Sequence, residues 1–250
     1  MVASPSGEVR LETDGNVAVV TLDAPQRRNA LTPAMAAELI QVFDEVDARA
    51  DIGALVVRAV GRSFCAGGDI ATLTAAGRDP AEASAYEEIS TIYDSFFRLG
   101  QAAVPTVAAV RGSAVGAGMN LLLAADLRIV ARDARLLCGF VKRGMHPGGG
   151  HFVLLSRLIG REAAAAMALF GEEIDGPRAV ELGLAWQSVD DAEVEGRALE
   201  LAHQVAADPE LARATVQNFR RETTSAVSWD LAIQFERPAQ MWSMRRAAVR

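Results

Sequence analysis

Two hydrophobic periods alternate along this chain. Val9-Arg10-Leu11-Glu12-Thr13, then Asp14-Gly15, then Val17 to Leu22 reads as a β-hairpin, because Asp-Gly between two β-branched segments is a strong turn signal. Thr32-Pro33 follows as a helix start, with Thr as N-cap and Pro at the first helical position. Met35, Leu39, Val42, Phe43 and Val46 then recur at helical spacing, and the helix they predict ends near Asp51. Ala54 to Val60 is an apolar run broken only by Arg58, the signature of a buried strand.

The alternation repeats downstream. Pro80 to Leu99 reads as a helix with Ile89, Ile92, Tyr93, Phe96 and Phe97 on one face. Thr106 to Val110 is the next strand, Gly112 to Gly118 a Gly-rich turn, and a short apolar helix from Met119 leads into a strand at Leu127 to Ala131. The last strand-like segment lies near Ala185 to Val189, and from about Asp191 onward the pattern is helical, with Asp208-Pro209 its clearest break. The expected organisation is an α/β core over residues 1–190 and a helical region over 191–250, with no linker long enough to separate independent domains.

Composition narrows the function classes. A chain of 250 residues suffices for one sizeable α/β domain with a helical appendage. No apolar run reaches the ~20 residues that span a bilayer, so no membrane partner is expected. Met1 to Glu12 lacks the basic and apolar regions of a signal peptide. The two cysteines, Cys65 and Cys138, have no metal-ligand spacing and read as reduced thiols, so the expected location is cytoplasmic. A net charge of −7 argues against general nucleic-acid binding. It leaves room for a polyanionic small molecule met by local cations, for which Arg27-Arg28 and Lys142-Arg143 are candidates beside their ordinary reading as solvated surface charge.

The chemistry is concentrated in two Gly-rich loops, each after a buried strand: Gly61 to Ile70, and Arg111 to Asn120. Small residues between a strand and a helix let the backbone approach a ligand and leave helix-start N–H groups without partners. Two such groups from different loops can hold a developing oxyanion; taken singly, either loop reads more readily as an ordinary tight turn. Gly112, Gly116 and Gly118 do not give the Gly-x-Gly-x-x-Gly of a dinucleotide site, and no Gly-Lys-Ser/Thr phosphate loop is present.

Several motifs in order carry a resemblance. Asn29-Ala30-Leu31, Ser63-Phe64-Cys65-Ala66-Gly67-Gly68-Asp69, Val110 to Gly118, Asp126-Leu127-Arg128-Ile129-Val130 and Gly144-Met145-His146-Pro147-Gly148-Gly149-Gly150 together resemble the enoyl-CoA hydratase/isomerase (crotonase) family along nearly the whole chain. The resemblance implies an α/β spiral of repeated ββα units whose helical C-terminal region builds a homotrimer or a dimer of trimers. It implies a CoA thioester as substrate, with no further cofactor and no metal. It places the two oxyanion N–H donors at Gly68 and Ala117. Ala66, Asp69 and Ile70 fall where that family lines the adenine and pantetheine end, and Arg27 and Arg28 where basic residues meet CoA phosphates. Gly148 belongs to the loop that approaches the reacting carbons.

The chain also departs from the pattern. The positions of the two glutamates that handle water in hydratases of the family are taken here by Asn120 and Phe140. Neither side chain serves as a general acid or base, a role worth ~10²–10⁴ in rate. His146, inside the Gly-x-x-Pro-Gly loop, is the candidate replacement, its alternative being a loop histidine bonded to backbone. His151 reads as packing or capping, His203 as structural, and Asp69 as support for its loop. Tyr86, Glu87 and Glu88 read as a solvated helix face. Phe140 reads either as core or as one dry, aromatic wall of the acyl site. Three readings therefore stand: a divergent acyl-CoA enzyme using His146, a non-catalytic acyl-CoA binder, and a weak hydratase whose water is positioned by Asn120. Phe235 to Ser243 reads as an amphipathic segment packing on a neighbouring subunit.

Overall fold

The computed structural model describes residues 7–79 and 82–224. Strands β1 (Val9–Asp14) and β2 (Val17–Leu22) form the expected hairpin, closed by a two-residue loop because Asp14 pairs with Val17. Helix α1 (Pro33–Ala48) starts on Thr32, whose side chain accepts from the Met35 N–H, and it buries the predicted face. Strands β3 (Ala54–Ala59) and β4 (Ser63–Cys65) lead to helix α2 (Ile70–Ala76) and the long helix α3 (Ala83–Gly100). Then come β5 (Thr106–Val110), β6 (Ser113–Val115) and α4 (Ala117–Ala124), followed by β7 (Leu127–Ala131), β8 (Arg135–Leu137) and α5 (His151–Ala168). Strand β9 (Glu173–Ile174), α6 (Gly176–Glu181) and β10 (Gln187–Val189) complete the α/β part, and α7 (Val194–Ala206) and α8 (Pro209–Thr224) follow.

The fold is an α/β spiral. Successive turns each give one strand to a six-stranded sheet, ordered β1-β2-β3-β5-β7-β10, and a short one to a four-stranded sheet, ordered β4-β6-β8-β9. Apart from β1–β2 and β8–β9 the pairings are parallel, and β2, β3, β5 and β7 are buried along nearly their whole length, as strands covered on both faces must be. Phe43, Phe64, Leu22, Leu31, Met35 and Leu39 are among the bulkiest fully buried side chains, each contributing roughly 1.5–3 kcal/mol of burial.

The sequence pattern misses the second sheet. β4 and β6 lie inside the two Gly-rich loops, and three-residue strands are too short to show a period. Helix α4 begins two residues before Met119, and α2 is an element that the apolar pattern does not predict. Pro80, where the α3 helix is expected to start, and Phe235 to Ser243 lie outside the described residues. No helix among the described residues is long and apolar enough to cross a membrane.

Candidate active site

The first loop is pinned from outside by Asn29. This residue is fully buried in a left-handed conformation (φ 54°), which Asn tolerates better than most residues. Its side chain accepts from the Ala24 N–H and donates to the carbonyls of Val60 and Ser63. The next residues grip the loop by backbone: Leu31 N–H donates to Gly67 O at 2.7 Å, Asp69 N–H to Leu31 O at 2.9 Å, and Ala66 N–H to Arg28 O at 3.0 Å. Among the described residues, the Gly68 N–H between them donates to no backbone carbonyl.

The second loop delivers a matching group. Gly116 (φ 56°, ψ −115°) turns the chain into α4 without a capping side chain, and among the described residues the Ala117 N–H that opens the helix donates to no backbone carbonyl. The two loops nest because glycine stands at their contact: a Cβ on Gly118 would lie 2.2 Å from Cys65 O. A Cβ on Gly67 would lie 3.7 Å from Ala117 N, so the two donor-bearing segments are neighbours. Both open on one cavity of about 150 Å³. Two N–H groups that converge on one point can hold a developing oxyanion.

Ala66, Gly68, Ala117, Phe140, His146 and Gly148 all line this cavity. The lining also includes the apolar side chains of Leu73, Ile89, Ile92, Tyr93 and Met145, with Arg143 contributing a cation. His146 is exposed, stacks edge-on with Phe152 at 5.7 Å, and its Nδ1 lies 2.6 Å from Pro147 O. A carbonyl only accepts, so in the neutral ring Nδ1 carries the hydrogen and Nε2 keeps the lone pair.

Other expected site residues sit elsewhere. The Arg27 guanidinium is held by both oxygens of Glu8 and by Ala30 O. Burial and that pairing leave Arg28, exposed and left-handed at φ 57°, as the member of the pair facing solvent. Asp69 does not reach the cavity; its carboxylate caps α2 by accepting from the Thr72 N–H and hydroxyl. Ile70 is 58% exposed and outside the lining.

The Asn120 amide is engaged by the protein itself. The residue is fully buried and outside the lining, with both ends of its amide engaged: Nδ2 donates to Gly148 O at 2.9 Å and Oδ1 accepts from His151 Nδ1 at 2.7 Å. His151, 1% exposed, packs edge-on against Phe140 at 5.0 Å, and its Nε2 has no hydrogen-bond partner among the described residues. Burial pushes its pKa down to about 4. Burial likewise pushes the Cys65 and Cys138 thiols up to about 12, so neither is a ready nucleophile.

Tyr93 is the site residue that sequence reasoning passes over. Its position on the apolar face of α3 gives no hint that its ring reaches the cavity, although an aromatic with a polar tip on a core stripe is a usable signal.

Comparison with known proteins adds four findings. The family described as Enoyl-CoA hydratase/isomerase matches residues 12–244. A probable enoyl-CoA hydratase, EchA14, of Mycobacterium tuberculosis is 41% identical over 223 residues, covering 89% of this chain and 85% of the relative. The 1,2-epoxyphenylacetyl-CoA isomerase of Escherichia coli is 33% identical over 198 residues, covering 77% and 74%. Among solved structures, an enoyl-CoA hydratase from Polaromonas sp. JS666 superposes with a TM-score of 0.88 at 26% identity, covering 96% of this chain and 92% of that one.

Proposed function

Because this chain belongs to the enoyl-CoA hydratase/isomerase family, we propose that its Gly68–Ala117 cavity binds an acyl-CoA thioester and stabilises the enolate formed beside the thioester carbonyl. The observation that carries this reading is the pair of uncommitted amides opening on one cavity. In the proposed step, His146 Nε2 takes a proton from the carbon next to the carbonyl. The C–H electron pair moves toward the thioester oxygen, which gains charge between the two N–H groups. Return of that proton to a different carbon moves the double bond, so isomerisation needs one base, one oxyanion site and no co-reactant.

Asn120 and Phe140 fall where hydratases of the family carry their two glutamates. Asn120 has no proton to exchange, and its amide is already committed on both sides. Hydration of an enoyl-CoA is therefore the reaction this site is least equipped for. Arg28 and Arg143 are the cations available to the CoA phosphates, and no further cofactor is invoked. Assembly as a trimer or a dimer of trimers in the cytoplasm completes the proposal. Exposed Phe170 and Trp186 are apolar surface of the kind a subunit contact covers.

The test is turnover across a panel of 2- and 3-enoyl-CoA thioesters, with and without His146→Ala. The expected result is isomerisation that falls by ~10²–10⁴ in the variant while acyl-CoA binding is retained. Hydration of crotonyl-CoA at an ordinary enzymatic rate, unchanged in His146→Ala, would refute it. The dry Phe140 wall and the locked Asn120 amide favour a second reading, a non-catalytic acyl-CoA binder. Tight binding without turnover of any panel member would establish that reading instead.

A further inference from the structure

A second, larger cavity of about 810 Å³ lies next to the first, walled by Phe96, Phe97, Leu123, Val153, Leu154 and Leu158. Among the described residues the two cavities share one lining residue, Tyr93. The loop between them divides in the same way: Gly148 lines the small cavity and Gly149 the large one. Each glycine is covered by an aromatic ring of α3. A Cβ on Gly148 would lie 2.1 Å from the Tyr93 hydroxyl oxygen, and one on Gly149 would lie 2.4 Å from Phe96 Cζ. The two rings support each other at 5.9 Å, and Asn120 Nδ2 holds the Gly148 carbonyl from behind. The partition is thus a tyrosine seated on a glycine backbone, braced on both sides.

We infer that Tyr93 closes the acyl end of the Gly68–Ala117 cavity and thereby limits the length of the acyl group; the inference rests on the acyl-CoA reading of that cavity. The volumes set the scale. A cavity near 150 Å³ takes a group on the order of one benzene ring, so the thioester head and a short acyl group fill it. Longer chains must enter the larger cavity, and Tyr93 stands in the way. Each buried methylene ordinarily adds to affinity, so an unobstructed groove binds longer chains more tightly. A closed one reverses that trend.

The experiment is calorimetric binding of free CoA, butyryl-CoA, octanoyl-CoA and dodecanoyl-CoA (each below its micellar concentration) to the full chain, to Tyr93→Ala and to Tyr93→Phe. The wild type is expected to bind butyryl-CoA best and to lose affinity with length. Tyr93→Ala joins the cavities and raises dodecanoyl-CoA affinity by roughly tenfold or more relative to butyryl-CoA. Tyr93→Phe, which keeps the ring, is expected to retain the wild-type order and shows that the loss of length discrimination follows the ring. Affinity that rises with length in the wild type, or an order unchanged in Tyr93→Ala, would overturn the inference and leave the acyl-CoA reading intact. Failure of the wild type to bind any of the four ligands would remove that reading, and the inference with it.

Discussion

His151 Nδ1 lies 2.7 Å from Asn120 Oδ1, and this one bond fixes the protonation of a histidine and the orientation of an amide together. The amide nitrogen, turned the other way, donates to Gly148 O, so Asn120 cannot flip without leaving two buried groups unpaired. The imidazole must then present N–H at Nδ1 and a bare nitrogen at Nε2. Taking up a proton there would put an uncompensated charge beside Phe140.

Acid should therefore weaken the fold through His151. Its pKa is pushed from 6.5 down to about 4 by burial, so the folded state resists the proton that the unfolded chain accepts. The stabilisation is complete above the ordinary histidine pKa and is lost progressively as pH falls toward 4. The full effect is on the order of 3 kcal/mol. Denaturant unfolding across this range should show the loss in the wild type and a flatter profile in His151→Phe. That variant should also be less stable at neutral pH by ~1–3 kcal/mol, because Asn120 Oδ1 loses its donor. Identical slopes for the two proteins would contradict the assignment.

Ala117 allows one of the two proposed oxyanion donors to be deleted with little disturbance to the helix. It occupies the first position of α4, where proline is tolerated and its absent N–H leaves no helical bond unmade. Ala117→Pro should keep its Tm within a few degrees of the wild type and lower kcat by ~10²–10³ on any thioester that is turned over. Retained turnover in a well-folded variant would mean the second donor lies elsewhere.

Arg27 and Arg28 should separate by readout. Arg27 sits between Glu8 and Ala30 O, and Glu8, first by its hydrogen bond and then by charge, raises the guanidinium pKa against the opposing effect of burial. Arg27→Ala should lower Tm by several degrees, on the scale of ~2–4 °C per kcal/mol for a chain of this size. Arg28→Ala should leave Tm alone and weaken CoA binding by roughly tenfold or less, as expected for one solvent-facing charge contact. A Tm loss in Arg28→Ala equal to that in Arg27→Ala would show that both are structural.

The sequence by itself determined the elements whose periods are long enough to read and the chemistry that backbone alone supplies. The hairpin at Asp14-Gly15, the Thr32-capped helix and the buried strands at Ala54 and Thr106 follow from turn chemistry, capping and continuous apolar runs. The glycine loops around Gly68 and Gly116 are legible because only glycine permits their backbone angles and close approach. What the sequence could not decide was where long side chains end. Arg27 and Arg28 are neighbours in the chain, yet one is engaged by Glu8 and the other faces water. Asn120, which the resemblance implies would meet substrate, is bonded within the fold, because His151, thirty-one positions away, offers it a donor. Tyr93 belongs by spacing to an apolar stripe and by tertiary packing to the wall between two cavities. Local patterns report on backbone conformation, which neighbours in sequence control. The partner of a buried polar atom is set by chain segments that meet only when the fold closes.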